Sequence, residues 1–256
     1  MLEQIQTNDI IAIARKAGEA IMEIYAKDFT VDYKEDSSPL TEADQRANEI
    51  IVEGLNGLSV QLPILSEEGK MIDYDDRKEW GYFWMVDPLD GTKEFIKKND
   101  EFTVNIALIY KNVPILGVVY APALNEMYWA KKGEGAFKNG ISLPLQTNQN
   151  PEKLLRIVAS KSHLSPETQE YIDTLSETTE RIECVSKGSS LKLCMVAEGS
   201  ADIYPRLAPT MEWDTAAADA IVRESGKMTF GYPDETAVVY NKENLLNPWF
   251  VVKGSK

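Results

Sequence analysis

The chain has 256 residues, 43% of them hydrophobic, with 27 basic and 41 acidic side chains and a net charge of −14. That apolar content suffices for one large domain or two closely packed ones. The acidic excess excludes a general basic surface for nucleic acid polymers. It also repels phosphorylated ligands at long range, so a phosphate site has to be built locally, from metals and a few placed Lys or Arg. His163 is the only histidine. A His-rich zinc site is therefore excluded, and a Ser-His-Asp or Cys-His hydrolase would have to use that one residue. Cys184 and Cys194 form no CxxC pair, which fits a reduced, cytoplasmic setting better than a zinc or redox motif. The first twenty or so residues lack a basic n-region and an apolar h-region, so no signal peptide is expected. No run of about 18 apolar residues exists to form a transmembrane segment.

In chain order, apolar residues at Ile10, Ile13, Ala14, Ala17, Ile21 and Ile24 repeat with a helical period over 9–28. Residues 31–34 read as a short strand. A second helix is predicted from Thr41 to Leu55, with Thr41 as N-cap and Asp44 at the capping-box position. Pro63-Ile-Leu65 reads as a strand ending in Ser66-Glu67-Glu68-Gly69, and the charged stretch 70–79 as a loop. Strands follow at 82–87, 102–110, 113–121, 125–131 and 136–138, with a hairpin at Lys111-Asn112. The pattern then changes to alternating elements: strand 156–160, helix 166–175, strand 182–185, helix 189–198, strand 202–205, helix 214–224 and strand 250–253. Alternation of this kind argues for an α/β layer. A boundary is expected at the polar stretch near 145–152, dividing an N-terminal part, 1–148, from a C-terminal part, 149–256.

The chemistry concentrates in Trp84-Met-Val-Asp-Pro-Leu-Asp-Gly-Thr-Lys-Glu-Phe95. An apolar run reads as a buried strand that Pro88 ends, since proline has no N–H for a ladder. Gly91 permits a tight turn and a close approach of backbone to ligand. Asp87 and Asp90 on that turn are oxygen donors suited to a hard divalent cation. A bare D-x-x-D is commonly a surface turn that caps the next helix, so the whole string decides. It resembles the signature of the lithium-sensitive, magnesium-dependent phosphatases of the inositol monophosphatase-like family. Their members include inositol monophosphatases, fructose-1,6-bisphosphatases and 3′(2′),5′-bisphosphate nucleotidases. Thr41-Glu-Ala-Asp44 resembles the family's T-x-x-D, Glu67 its first metal-ligand acid, and Trp213-Asp214-Thr-Ala-Ala its second signature. Taken alone, Asp214 would be read as a helix N-cap.

The resemblance spans nearly the whole chain and implies an α/β (α+β) layered sandwich of alternating helix and sheet layers, the sugar-phosphatase fold. It implies magnesium as cofactor, two or three ions per site. One ion takes Glu67, Asp87 and the Leu89 carbonyl, and a second takes Asp87, Asp90 and Asp214. Asp44 and Thr92 would orient and deprotonate the attacking water, and backbone N–H groups at Gly91 and Thr92 would hold the phosphate. The physical logic does not depend on the family. Water attacks a phosphate dianion poorly, and two cations about 3.5–4 Å apart offset that repulsion.

The second half decides the substrate. Ala159-Ser-Lys-Ser-His163, Lys187-Gly-Ser-Ser-Leu-Lys192 and Asp202-Ile-Tyr-Pro-Arg206 supply a flat ring, a glycine turn opening a helix and a guanidinium for a second phosphate. Singly, each has a plainer reading: a solvated histidine, a capped helix, a surface arginine. Together His163, Ser189, Lys192 and Arg206 resemble the bisphosphate nucleotidase branch. There a serine–lysine pair and an arginine hold the nonreacting phosphate, and a histidine lies by the adenine. Lys93-Glu-Phe-Ile-Lys97 and Glu101-Phe-Thr-Val-Asn-Ile106 resemble its CysQ-type bacterial members. The expected activity is hydrolysis of adenosine 3′,5′-bisphosphate (PAP) to AMP and phosphate, with 3′-phosphoadenosine 5′-phosphosulfate (PAPS) as a further substrate and clearance of a sulfate-activation by-product as the role. Inositol monophosphatase or fructose-1,6-bisphosphatase activity on the same fold stays open, as does a noncatalytic, magnesium-dependent regulatory binding protein. Monomer and homodimer are both allowed, as is a peripheral place on the cytoplasmic face of the inner membrane.

Overall fold

The computed structural model describes residues 2–27, 31–33, 39–145, 154–159 and 164–254. Within them, helix α1 (Thr7–Tyr25) buries all six of its expected apolar residues. It packs against α2 (Glu42–Asn56). A short ribbon of β1 (Val31–Tyr33) and β2 (Pro39–Thr41) lies between them in sequence. Thr41 thus ends a strand directly before α2, and its expected capping side chain lies outside the described part.

A seven-stranded sheet follows in the order β3 (Ile64–Ser66), β4 (Tyr82–Asp90), β5 (Thr103–Tyr110), β6 (Val113–Ala121), β7 (Glu126–Lys131), β8 (Gly135–Lys138) and β9 (Ile141–Ser142). Its neighbours are antiparallel apart from the parallel pair β3–β4. The period-two alternation of strands sends Trp84, Val86, Val104, Ile106, Leu116 and Val118 to the α1–α2 face. Phe83, Met85, Ala107, Ile109 and Val119 go to the other. That second face is covered by α6 (Leu191–Glu198) and α7 (Trp213–Glu224).

The far side of α6 and α7 meets a five-stranded sheet. Its order is β11 (Arg181–Ser186), β10 (Leu154–Ala159), β12 (Ile203–Arg206), β14 (Phe250–Gly254), β13 (Lys227–Gly231). Val158, Tyr204, Phe250 and Val252 face those helices. Ile157, Ile203 and Val251 face outward, where α5 (Pro166–Thr178) covers them through Ile172 and Leu175. Helices and sheets therefore alternate in layers, as expected of the family. The long central sheet gives a mixed α+β character and the second sheet the expected α/β alternation. The stretch 145–152, where the boundary was expected, falls outside the described part beyond Leu145.

Two readings from sequence need correction, and two elements went unread. Pro88 does not end its strand. β4 runs to Asp90, with a register irregularity between Asp87 and Asp90. The irregularity removes the need for a ladder donor at proline and bends the strand. The stretch 70–79 contains a helical turn, α3 (Tyr74–Arg77), because the buried Arg77 pins it with bonds to Asn241 Oδ1 and the Lys242 and Glu243 carbonyls. The signature turn leads straight into a short helix, α4 (Thr92–Ile96), with Gly91 at φ 93°. β13 was not expected from the sequence.

Sheet and helix layers approach at backbone distance at Gly117 on β6. A Cβ there would lie 2.1 Å from the Ala217 carbonyl oxygen and 2.8 Å from Ala220 Cβ on α7. Even one methyl group would push α7 off the sheet. Gly117→Ala is expected to lower stability by about 1–3 kcal/mol, the range for overpacking a dense core. Urea unfolding with an unchanged midpoint would show that α7 yields at no cost.

Candidate active site

Parallel pairing of β3 and β4 brings their carboxyl ends to one edge of the sheet. Ser66 stands opposite Val86, and the Glu67 N–H donates to the Val86 carbonyl at 3.1 Å. Glu67 and Asp87 thus emerge side by side. Asp214 arrives from the first turn of α7, where the free N–H groups of a helix start favour a carboxylate. Asp214 is not the N-cap. That position is Glu212, while Asp214 Oδ2 accepts from the Met211 N–H at 2.9 Å. Carboxylate oxygens of Glu67, Asp87 and Asp214 all lie within 4.8 Å of one another. Oxygen donors so close together are the donor set of a hard divalent metal.

Asp87 is 1% exposed, and its Oδ1 accepts from the Leu89 N–H at 3.1 Å. Burial pushes its carboxyl well above the usual range, and the charges of Glu67, Asp90, Asp214 and Asp44 push it further. Asp214 is raised for the same reasons: burial, then Asp90 and Glu67. Asp90 sits outside the close trio. Its Oδ2 accepts from the Ser190 N–H at 2.6 Å and the Ser190 hydroxyl at 2.8 Å. The Thr92 hydroxyl reaches the Leu89 carbonyl at 3.4 Å.

Glu67, Asp90 and Asp214 line a cleft of about 440 Å3 whose wall also includes Asp44, Gly91, Thr92, Ser189, Lys192 and Arg206. Most of the site residues expected from sequence therefore share one cavity. Asp87 and Leu89 are buried and do not line it, and His163 lies outside the described residues. Lys192 is buried and donates to the Ser189 carbonyl at 2.6 Å. Burial lowers its ammonium to about 8, with the Arg206 charge acting the same way and Asp90, Glu94 and Glu101 opposing. Two polar atoms of residues on this wall, Ser189 Oγ and Arg206 Nε, are buried without a hydrogen-bond partner among the described residues. Sequence reading missed Ser190 and Asn105. Asn105 pairs with Asp87 across β4–β5 and donates to the Ser190 hydroxyl at 2.9 Å. Asn105 lies in the stretch 101–106, whose likeness to bacterial relatives was its only signal.

A profile of the inositol monophosphatase family matches residues 1–248. The chain belongs to the inositol monophosphatase family. It is 45% identical over 254 residues to the 3′(2′),5′-bisphosphate nucleotidase CysQ of Salmonella typhimurium, covering 98% of this chain and 99% of that one. It is 44% identical over 247 residues to the enzyme of the same description from Escherichia coli K12, covering 96% and 98%. Among solved structures, CysQ from Bacteroides thetaiotaomicron superposes with a TM-score of 0.89 at 48% identity, over 99% of this chain and 98% of that one. An inositol monophosphatase from Thermotoga maritima gives 0.75 at 26% identity, over 95% and 89%. The family is metal-dependent, and the acidic trio is the part of this chain that fits a metal. No helix among the described residues is long and apolar enough to cross a membrane.

Raised carboxyl pKa values fix a sign. Between the unfolded value, about 4 for Asp, and the higher folded ones, the native state binds more protons than the unfolded state. The contribution of Asp87 and Asp214 to metal-free stability therefore falls as pH rises through that window. In a chelator at neutral pH, Asp214→Asn should melt above the wild type, by about 2–4 °C per kcal/mol of repulsion relieved. The gain should vanish near pH 4 and in excess magnesium. A variant that melts lower in chelator at neutral pH contradicts the repulsive cluster.

Proposed function

We propose that the protein is a magnesium-dependent phosphomonoesterase that removes the 3′-phosphate of adenosine 3′,5′-bisphosphate, giving AMP and phosphate. PAPS is a further substrate, with clearance of the by-product of sulfate activation as the role. Residues 1–148 supply most metal ligands, and 149–256 supply the specificity residues and the last ligand. Glu67, Asp87, the Leu89 carbonyl, Asp90 and Asp214 would hold two or three magnesium ions. Bound there, magnesium offsets the charge of the phosphate and activates water. Asp44 and Thr92, both on the cleft wall, orient that water and accept its proton. Gly91, in a left-handed conformation at the start of α4, leaves its N–H and that of Thr92 to hold phosphate oxygens. Water adds to phosphorus, the bond to the 3′-oxygen breaks, and a proton passes to the leaving hydroxyl.

The observation that carries the choice of substrate is the pair of buried donors without partners, Ser189 Oγ and Arg206 Nε, beside the Lys192 ammonium. Leaving a buried donor unsatisfied costs about 1–3 kcal/mol. A second phosphate satisfies both, and a guanidinium suits phosphate geometry. An inositol monophosphate has hydroxyls but no second anion to offer them. The long CysQ relatives favour the nucleotide over a sugar bisphosphate. His163 is assigned to the adenine by the family resemblance.

Phosphate release with magnesium should strongly favour adenosine 3′,5′-bisphosphate over inositol 1-phosphate, and lithium should inhibit it. The opposite preference would keep the metal site and overturn the substrate. Asp90→Asn should lose most turnover at saturating magnesium while keeping its fold by circular dichroism.

Arg206→Ala should raise the KM for the bisphosphate by about tenfold or more, as for loss of a charged hydrogen bond of 1.5–3 kcal/mol. It should leave monophosphate hydrolysis nearly unchanged. The ammonium of Lys192 binds phosphate only when protonated, so the KM for the bisphosphate should climb as pH rises past about 8. In Lys192→Met the KM should be higher and independent of pH there. A wild-type KM flat to pH ~9.5 would remove Lys192 from the phosphate site.

A further inference from the structure

Ser190 is the residue on which the two walls of the cleft converge. It stands at the N-cap position of α6 and is 2% exposed. Its N–H and hydroxyl oxygen lie 2.6 and 2.8 Å from Asp90 Oδ2, and the hydroxyl oxygen is 2.6 Å from the Asp214 carbonyl. The hydroxyl has one proton, which it can donate to either acceptor. Its oxygen also accepts from Asn105 Nδ2 at 2.9 Å, a group that lies 3.5 Å from Asp90 Oδ2 as well. One side chain thus ties α6 to β4, which carries Asp87 and Asp90, to β5, and to α7, which carries Asp214.

The turn that presents Ser190 has little freedom to withdraw. The Gly188 N–H donates to Glu101 Oε2 at 2.8 Å, and Lys187 pairs with Glu101 Oε1 at 3.2 Å. A Cβ at Gly188 would lie 2.7 Å from the Glu101 carbonyl oxygen, so the turn is packed against the first half of the chain with no gap. Asp90 Oδ2 is engaged by these donors, while Oδ1 accepts no described hydrogen bond. Asp90 therefore keeps Oδ1 clear of described donors while Oδ2 is held in a set orientation.

We propose that Ser190 is a positioning residue for the metal site, holding Asp90 and the main chain of Asp214 in place and thereby setting the affinity for magnesium. This rests on the reading of the acidic cluster as a magnesium site. Partners that orient metal-bound carboxylates typically contribute about 10–100-fold to affinity, and charge-assisted hydrogen bonds are the stronger kind.

The test is calorimetric titration of the metal-free full chain with magnesium alone, for wild type and Ser190→Ala. The variant should bind about 10–100-fold more weakly. At saturating magnesium its KM for adenosine 3′,5′-bisphosphate should stay within about twofold, since the nucleotide contacts assigned to Ser189, Lys192 and Arg206 are intact. Asn105→Ala, which removes the donor on the other side of the same hydroxyl, should weaken magnesium binding in the same direction and serves if Ser190→Ala does not fold. Unchanged magnesium affinity with a lower urea midpoint would make Ser190 merely structural and overturn the proposal. A raised KM with unchanged magnesium affinity would assign Ser190 to the substrate turn and also overturn it. A wild type that binds no magnesium would overturn the metal reading and this proposal together.

Discussion

Repulsion among crowded carboxylates is the constraint on which the site depends. Glu67, Asp87 and Asp214 are held with oxygens within 4.8 Å of each other, and Asp87 has almost no contact with solvent. Left to themselves, such groups would separate or take up protons. The fold prevents separation by placing each on a different rigid element, fixed by layers of apolar packing on either side. Unrelieved charge in the metal-free protein becomes binding energy when a cation arrives.

The layers are arranged to serve that end. Side-by-side parallel strands bring two acids to one edge, which an antiparallel pair could not do, since its carboxyl ends point opposite ways. The central helix layer, α6 and α7, is apolar on both faces and touches both sheets. It delivers Asp214 from one helix start and the Ser189–Lys192 turn from the other. Gly117 lets α7 sit against β6 at backbone distance, which sets how far Asp214 reaches toward Asp87.

The electrostatics of the cleft then divide in two. One wall is acidic and fits a cation. The other combines Lys192, Arg206 and Ser189 in a molecule whose net charge is −14. Local placement overcomes the unfavourable long-range field because interactions at hydrogen-bond distance are screened little, whereas those beyond about 10 Å are screened strongly by salt.

Much of this was legible without coordinates. The helical period of α1, the buried strand before Asp87 and the alternation after residue 154 follow from apolar spacing, because burial imposes one period on helices and another on strands. The acids and the glycine turn were legible as a donor set because few other chemistries use them in that order. What the sequence could not reveal depends on contacts between distant segments. Helix α3 exists because Arg77 meets Asn241, and Pro88 is tolerated in β4 because of a bulge against β5. Asp214 taken alone reads as a cap; its surrounding string marked it as a ligand, and packing brings it to Glu67. Ser190 and Asn105 carried no local sign of their role, since a hydroxyl and an amide gain one only from the groups they meet. The sequence by itself determined the kinds of group available and the local elements that carry them. Tertiary structure alone decided which of those groups lie within a few ångströms of each other, because that distance is set by packing between layers far apart in the chain.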